Sequence, residues 1–237
     1  MTAEQLNEIV VAAVPHSDGG AARLAWYAEQ FVAAHRGLPG GPVLEIGTRA
    51  GGSAYLWLRL LDALYGTEHE PPMVVTVDPY GDRPYHDGVG IGHYGYGGTI
   101  YCEQKLLLAP FPNHMHFRLP SRDWFRTIAA ADPILAYWQD GLSRPFRGFS
   151  FVFLDGEHDA TTIGAELAAC FATMDFLRPG ARVCIDNADH DRRTRLMLEA
   201  EYELLHSAFE FGAVTVTGRR AMARGVVYFA DGTAVVA

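Results

Sequence analysis

The apolar residues of this chain alternate between two patterns: short unbroken runs and longer stretches at helical spacing. From Gly20 to His35, Ala21, Leu24, Ala25, Tyr27 and Phe31 mark one face of a helix, and "GLPGGP" stops it. "PVLEIG" then reads as a short buried strand, and "SAYLWLRLLDALYG" as a helix closed by Gly66. The further apolar runs "MVVTVD", "MHFRLPS", "FSFVFLD" and "ARVCID" predict four more strands. Between the last two lies a helical "TTIGAELAACFATMDFL", ended by "RPG". Strands that are apolar throughout and alternate with helices predict an α/β fold: a Rossmann-like, doubly wound, mostly parallel sheet with helices on both faces. Near the C-terminus, "FGAVTVTGRRAMARGVVYFA" predicts an antiparallel hairpin added at the sheet edge.

Two segments stand outside this alternation. Residues 1–39 form an N-terminal helical segment, whose opening "MTAEQLNEIVVAAVP" predicts an amphipathic helix packed on the domain or on a second subunit. Residues 81–101, "GDRPYHDGVGIGHYGYGGTIY", are rich in Gly, Tyr and His without useful periodicity. A long loop within a compact domain predicts a functional insertion, here a candidate substrate lid. No repeat or linker divides the chain, and 237 residues suit a single domain spanning 1–237.

Composition narrows the partners. A formal net charge of -9 argues against general attraction to nucleic acid or anionic membrane, leaving a small molecule or another copy of the chain, with a homodimer expected. No apolar run approaches the roughly 20 residues of a membrane span, and the N-terminus lacks the basic region of a secretory signal. The cysteines Cys102, Cys170 and Cys184 are odd in number and show no close-ligand spacing, which suits a reducing, cytoplasmic compartment.

Candidate chemistry gathers at the strand ends. In "VLEIGTRAGGS", Gly47, Gly51 and Gly52 lie between a strand and a helix, where absent side chains let a ligand approach backbone and helix N-terminus. The lysine of a phosphate loop is missing, and the match to GxGxxG is loose. Glu45 before the turn would favour a ligand carrying a cationic amine and repel a pyrophosphate. Asp78 closes the second strand, where an acid can accept from both ribose hydroxyls. Together Glu45 and Asp78 point to an adenosyl ligand. Asp155 closes the fourth predicted strand and Asp186-Asn187 the fifth, so a parallel sheet would bring all three to one edge. Two carboxylates and an amide carbonyl make a hard, oxygen-only set suited to Mg2+. The competing structural roles are a helix cap for Asp155 and a turn for Asp186-Asn187.

"VLEIGTRAGGS", "VTVDPY", "FVFLDGEHD" and "LRPGARVCIDN", in this order, resemble the class I S-adenosylmethionine-dependent methyltransferases. Within that class the likeness is to the metal-dependent O-methyltransferases that include catechol O-methyltransferase and the macrocin-type sugar enzymes. The resemblance implies that Asp155, Asp186 and Asn187 hold a divalent metal, and that Glu45, Gly47, Gly51 and Ser53 surround the methionine part of the cofactor. It further implies that Asp78 takes the ribose and that Ser121, in "RLPSRDW", lies near adenine. His158 stands where catechol-type members have a lysine base, Glu157 matches an acid of the macrocin type, and Asn187 departs from that type's second aspartate.

Methyl transfer from a sulfonium to an alcohol is an in-line displacement that also requires loss of the hydroxyl proton. A metal lowers the pKa of a bound hydroxyl, and an imidazole with an ordinary pKa of about 6.5 can then take the proton. His158 is therefore the expected general base, Glu157 its orienter or substitute, and His190, His86 and His93 secondary candidates. The missing lysine and the Glu157 match favour a sugar or glycosylated acceptor over a catechol or phenol. From other classes, a nicotinamide-dependent oxidoreductase and a non-catalytic adenosyl-binding protein remain as alternatives.

Overall fold

The computed structural model describes residues 1–17, 20–37, 41–66, 71–86, 91–96, 98–126, 135–137, 143–145, 148–157, 159–170, 176–186, 193, 196, 202–206, 211–216, 226–230 and 233–236. Strands β1 (Val43–Ile46), β2 (Val74–Val77) and β8 (Phe149–Leu154) are buried at every position, as expected for strands covered on both faces. With β5 (His114–Phe117) and β9 (Leu177–Ile185) they form a parallel sheet in the order β9-β8-β1-β2-β5. The order reverses between β1 and β8, which opens a crevice at their carboxyl ends.

Side chains alternate between two hydrophobic layers. Leu44, Ile46, Val75, Val77, Val152, Leu154, Val183 and Ile185 point into one, with Trp124 and with Ile163 and Leu167 of α6 (Ala160–Cys170). Val43, Val74, Phe151, Phe153 and Cys184 point into the other, against α1 (Ala3–Ala13), α2 (Ala21–Gly37) and α3 (Gly52–Tyr65). Thr2 opens α1 with a reciprocal capping box to Gln5, and the buried Ile9, Val10 and Ala13 pack its apolar face onto this layer. The apolar face of α1 thus packs on its own domain.

Strand β9 begins at Leu177, earlier than the predicted "ARVCID". Its pairing with β8 shifts register between Phe149 and Phe151, so that Arg178 to Ala181 bulge from the ladder. Pro179 lacks the N–H that a regular ladder needs, which accounts for the irregularity. The predicted hairpin is present as β11 (Phe211–Val216) and β12 (Val226–Ala230), paired antiparallel. It sits within an antiparallel extension in which β10 (Tyr202–His206) pairs with β11, and β13 (Thr233–Val236) joins β12 to β9.

The segment expected as an irregular lid contains β3 (Gly81–His86) and β4 (Ile91–Tyr96), an antiparallel pair outside the main sheet, and runs into α4 (Gly98–Leu108). A second small pair, β6 (Leu135–Tyr137) with β7 (Ser143–Pro145), also stands apart. Among the described residues, no helix is long and apolar enough to cross a membrane.

Candidate active site

The carboxyl ends of the central strands are held in step. The N–H of Gly47 donates to Val77 O (2.9 Å), that of Asp78 to Phe117 O (3.1 Å), that of Asp155 to Ile46 O (2.8 Å) and that of Asp186 to Leu154 O (2.9 Å). Each residue that follows a strand is therefore fixed by its neighbour. A cleft of about 810 Å3 opens above this edge, lined among others by Gly47, Thr48, Arg49, Ser53, Asp155 and Asp186. That volume lies within the usual range for small-molecule and cofactor sites.

The glycine loop is built by close approach. Gly47 has φ +89°, and a Cβ there would lie 1.9 Å from the carbonyl oxygen of Asp155. Gly51 caps α3 at φ +90°, and a Cβ on Gly52 would lie 2.1 Å from His16 O. Only hydrogen fits at Gly47 and Gly52, so these glycines serve chain packing as well as the cleft that they line. Arg49, although not glycine, also has positive φ, at 45°. Asp78 holds it there: Oδ2 accepts from Arg49 N (2.9 Å), and Oδ1 accepts from Tyr80 N (3.0 Å). Tyr80 OH donates in turn to Arg49 O. Asp78 is 3% exposed and pinned beneath the loop, and burial raises its pKa although these backbone bonds oppose the shift. A carboxylate can accept about four hydrogen bonds, so Asp78 keeps capacity for a further donor.

Glu45 lies beside the cleft-lining Ser53, to which its side chain hydrogen-bonds. It is wholly buried among the helices of the second layer, where Trp57 Nε1 donates to its Oε2 at 2.6 Å. Burial pushes its pKa up to about 8, so the carboxyl is mostly protonated at neutral pH. Ser53, one turn from the loop, lines the cleft.

Asp155 and Asp186 are the two acids that the structure brings together. Burial, followed by the charge of Asp186, raises the Asp155 pKa well above the usual carboxylate range, and the two carboxyl groups hydrogen-bond each other. A bond of this kind needs one proton between the two carboxyl groups. The anticipated cap role for Asp155 belongs instead to Asp159. Its Oδ1 accepts from Thr161 N (2.9 Å) and Thr162 N (3.1 Å) at the start of α6. Glu157 accepts from Thr162 Oγ1 at 3.0 Å. In "FLDGEHD" the acids therefore divide: one faces the cleft, one braces α6 and one caps it.

Two contributors come from α2 and were not legible in the sequence. Tyr27 OH donates to Asp186 Oδ1, and Arg23 Nη1 lies 3.4 Å from the same oxygen. Both line the cleft. Their spacing puts them on one helix face, but no local pattern links that face to an acid 163 positions later.

Ser121 opens the short helix α5 (Ser121–Trp124) and interacts with Glu166, which burial pushes up to about 8. Neither lines the cleft. His158, Asn187 and His190 lie outside the described residues, and His86 and His93 fall on β3 and β4.

Asp155 and Asp186 offer oxygen donors of the type a hard divalent cation takes. Two carboxylates in mutual contact need either a shared proton or a cation between them, and both oxygens are of the type Mg2+ prefers. Among the described residues no group of three His, Cys, Asp or Glu converges to hold a metal ion, so the pair would require a ligand of another type or from the residues around it. The adenosyl ligand fits by a separate criterion: the cleft joins the α3 N-terminus and its glycine loop to the acid pair in one continuous space.

No protein-family model matches the chain, and no curated protein matches it in sequence. Solved structures do match in fold. The calicheamicin methyltransferase CalS11 aligns with TM-score 0.58 at 14% identity, over 98% of this chain and 94% of its own. The O-methyltransferase NovP aligns with TM-score 0.53 at 14% identity, over 93% of this chain and 81% of its own. An O-methyltransferase from Bacillus cereus in complex with SAH aligns with TM-score 0.51 at 15% identity, over 100% of this chain and 91% of its own. The chain has the Rossmann-like fold of these methyltransferases, with its cleft at the sheet edge where open α/β folds bind their ligands.

Proposed function

We propose that the chain is an S-adenosylmethionine-dependent, Mg2+-dependent O-methyltransferase acting on a hydroxyl of a sugar or glycosylated metabolite. The observation that carries this reading is the Asp155–Asp186 carboxyl pair facing the glycine loop within one cleft. Loop and acid pair are the two halves of such a reaction: one holds the methyl donor, the other orients the acceptor oxygen.

Glu45, Gly47, Gly51 and Ser53 would surround the methionine part of the donor, with Asp78 holding the loop and remaining able to accept from ribose. Asp155 and Asp186, with Asn187 completing the set, would hold the metal, which supplies a lowered pKa at the acceptor hydroxyl when bound. His158 then removes the proton, and Glu157, anchored by Thr162, orients it or serves in its place. Leu24, Tyr27 and Phe153 add apolar surface to this end of the cleft.

Glu157, and the absence of a lysine at His158, favour a sugar-type acceptor. An aromatic acceptor is the second reading, favoured by the edge-to-face Tyr27 and Phe153 rings, 4.9 Å apart, which could receive a catechol. The odd number of cysteines without close-ligand spacing suits a reducing, cytoplasmic compartment, and we expect a homodimer.

Calorimetric titration with S-adenosylhomocysteine, with and without Mg2+ and with a panel of sugar diols and catechols, tests the reading. S-adenosylhomocysteine should bind in either case, and an acceptor only with metal. Asp155→Asn should abolish metal-dependent acceptor binding, and His158→Ala should lower turnover by about 10²–10⁴-fold while sparing metal binding. Binding of NADH in place of S-adenosylhomocysteine would return the chain to the oxidoreductases. S-adenosylhomocysteine binding with no turnover on any acceptor would leave an adenosyl-binding protein.

A further inference from the structure

Helix α2 places two different donors on one oxygen of the acid pair. Arg23 and Tyr27 lie one turn apart, and both reach Asp186 Oδ1. They differ in exposure. Tyr27 is 3% exposed and wedged edge-on against Phe153, Trp26 and Trp57, so withdrawing it would open the core. The Arg23 side chain is 34% exposed, against 7% for Asp186, and lines the cleft. Its charge also acts on Asp155, favouring that carboxylate. The Arg23 guanidinium therefore sets a positive charge against the acid pair.

We propose that Arg23 is a built-in counter-ion of the Asp155–Asp186 pair, which a divalent cation must displace in order to bind. The inference rests on the metal-dependent reading above. A guanidinium and a dication cannot share Asp186 Oδ1, because like charges a few ångströms apart repel strongly wherever water is partly excluded. The dication brings enough charge to neutralise both acids, whereas Arg23 alone does not. Tyr27 remains on Asp186 throughout and keeps the carboxylate oriented while its ionic partner changes. Arg23 thereby lowers the site's affinity for metal and couples metal loading to a rearrangement on the face of α2 that lines the cleft.

Mn2+ binding, measured by calorimetry and by electron paramagnetic resonance without methyl donor or acceptor, tests this directly. Arg23→Gln removes the competing cation and should bind Mn2+ about three- to tenfold more tightly than the wild type. Arg23→Lys keeps a positive charge and should stay within about twofold of it. Without metal, Arg23→Gln should melt below the wild type, and saturating Mn2+ should remove that deficit. Equal or weaker Mn2+ binding by a folded Arg23→Gln protein, with the wild type binding normally, overturns the counter-ion role and leaves the metal site standing. If neither protein binds Mn2+, the metal-dependent reading fails as well. Asp155→Asn serves as the control that loses binding.

Discussion

Glu45 shows how a residue's environment sets its chemistry. As a sequence feature it is a carboxylate beside a glycine turn, suited to a cationic ligand. In the folded chain it is a buried acid bonded to Trp57, with a pKa near 8. Its folded pKa lies above the usual value of 4.5, so the native state holds a proton that the unfolded chain releases. The stability this contributes is fully present below pH 4.5 and is lost as pH rises through about 8. The acid limb is thus favourable and the alkaline limb costly, by as much as ~5 kcal/mol for a fully buried group. Glu45→Gln should flatten the fall in melting temperature between pH 5 and pH 8 while keeping the Trp57 bond through the amide oxygen. An unchanged slope would place the titration elsewhere, with Glu166 the next group to replace.

At the scale of elements, the site depends on two parallel strands ending in step. The Ile46–Asp155 hydrogen bond closes the β1–β8 ladder, and Gly47 then turns so tightly that the Asp155 carbonyl occupies the space of a side chain. Gly47→Ala combines a positive-φ penalty with a backbone clash that cannot relax without separating the strand ends. It should destabilise the protein by about 3 kcal/mol or more in urea denaturation, and weaken S-adenosylhomocysteine binding in whatever fraction folds. A loss below about 1 kcal/mol would show that the turn can rearrange. The elements themselves were legible: β1, β2, β8 and α3 follow from apolar runs bounded by glycine and proline. The β3–β4 pair was not, because its Gly- and Tyr-rich sequence carries neither helical nor alternating periodicity, and its cross-strand pairing is non-local.

For the molecule as a whole, the cleft belongs to two layers at once. The sheet edge supplies the glycine loop and the acids, while the N-terminal layer supplies Pro15, His16, Arg23 and Tyr27. The layers are locked where His16 O fills the space over Gly52 and where the His16 ring stands edge-on to Tyr55, 5.4 Å between centroids. A ligand in this cleft should therefore slow amide hydrogen exchange on both sides: at the glycine loop and α3 start, and across η1 (Val14–His16) and the first half of α2. Protection confined to the loop would mean that the N-terminal layer does not close on the ligand.

The sequence by itself determined the α/β layering, the glycine turn after β1 and the arrival of Asp78, Asp155 and Asp186 at one sheet edge. These follow from local periodicity and from the rule that parallel strands share a direction. Tertiary structure alone decided which acids meet. It turned Glu45 inward to Trp57, gave the α6 cap to Asp159 and brought Arg23 and Tyr27 onto Asp186. Such pairings depend on distances across the folded chain, which burial and hydrogen bonding select and no short stretch of sequence encodes.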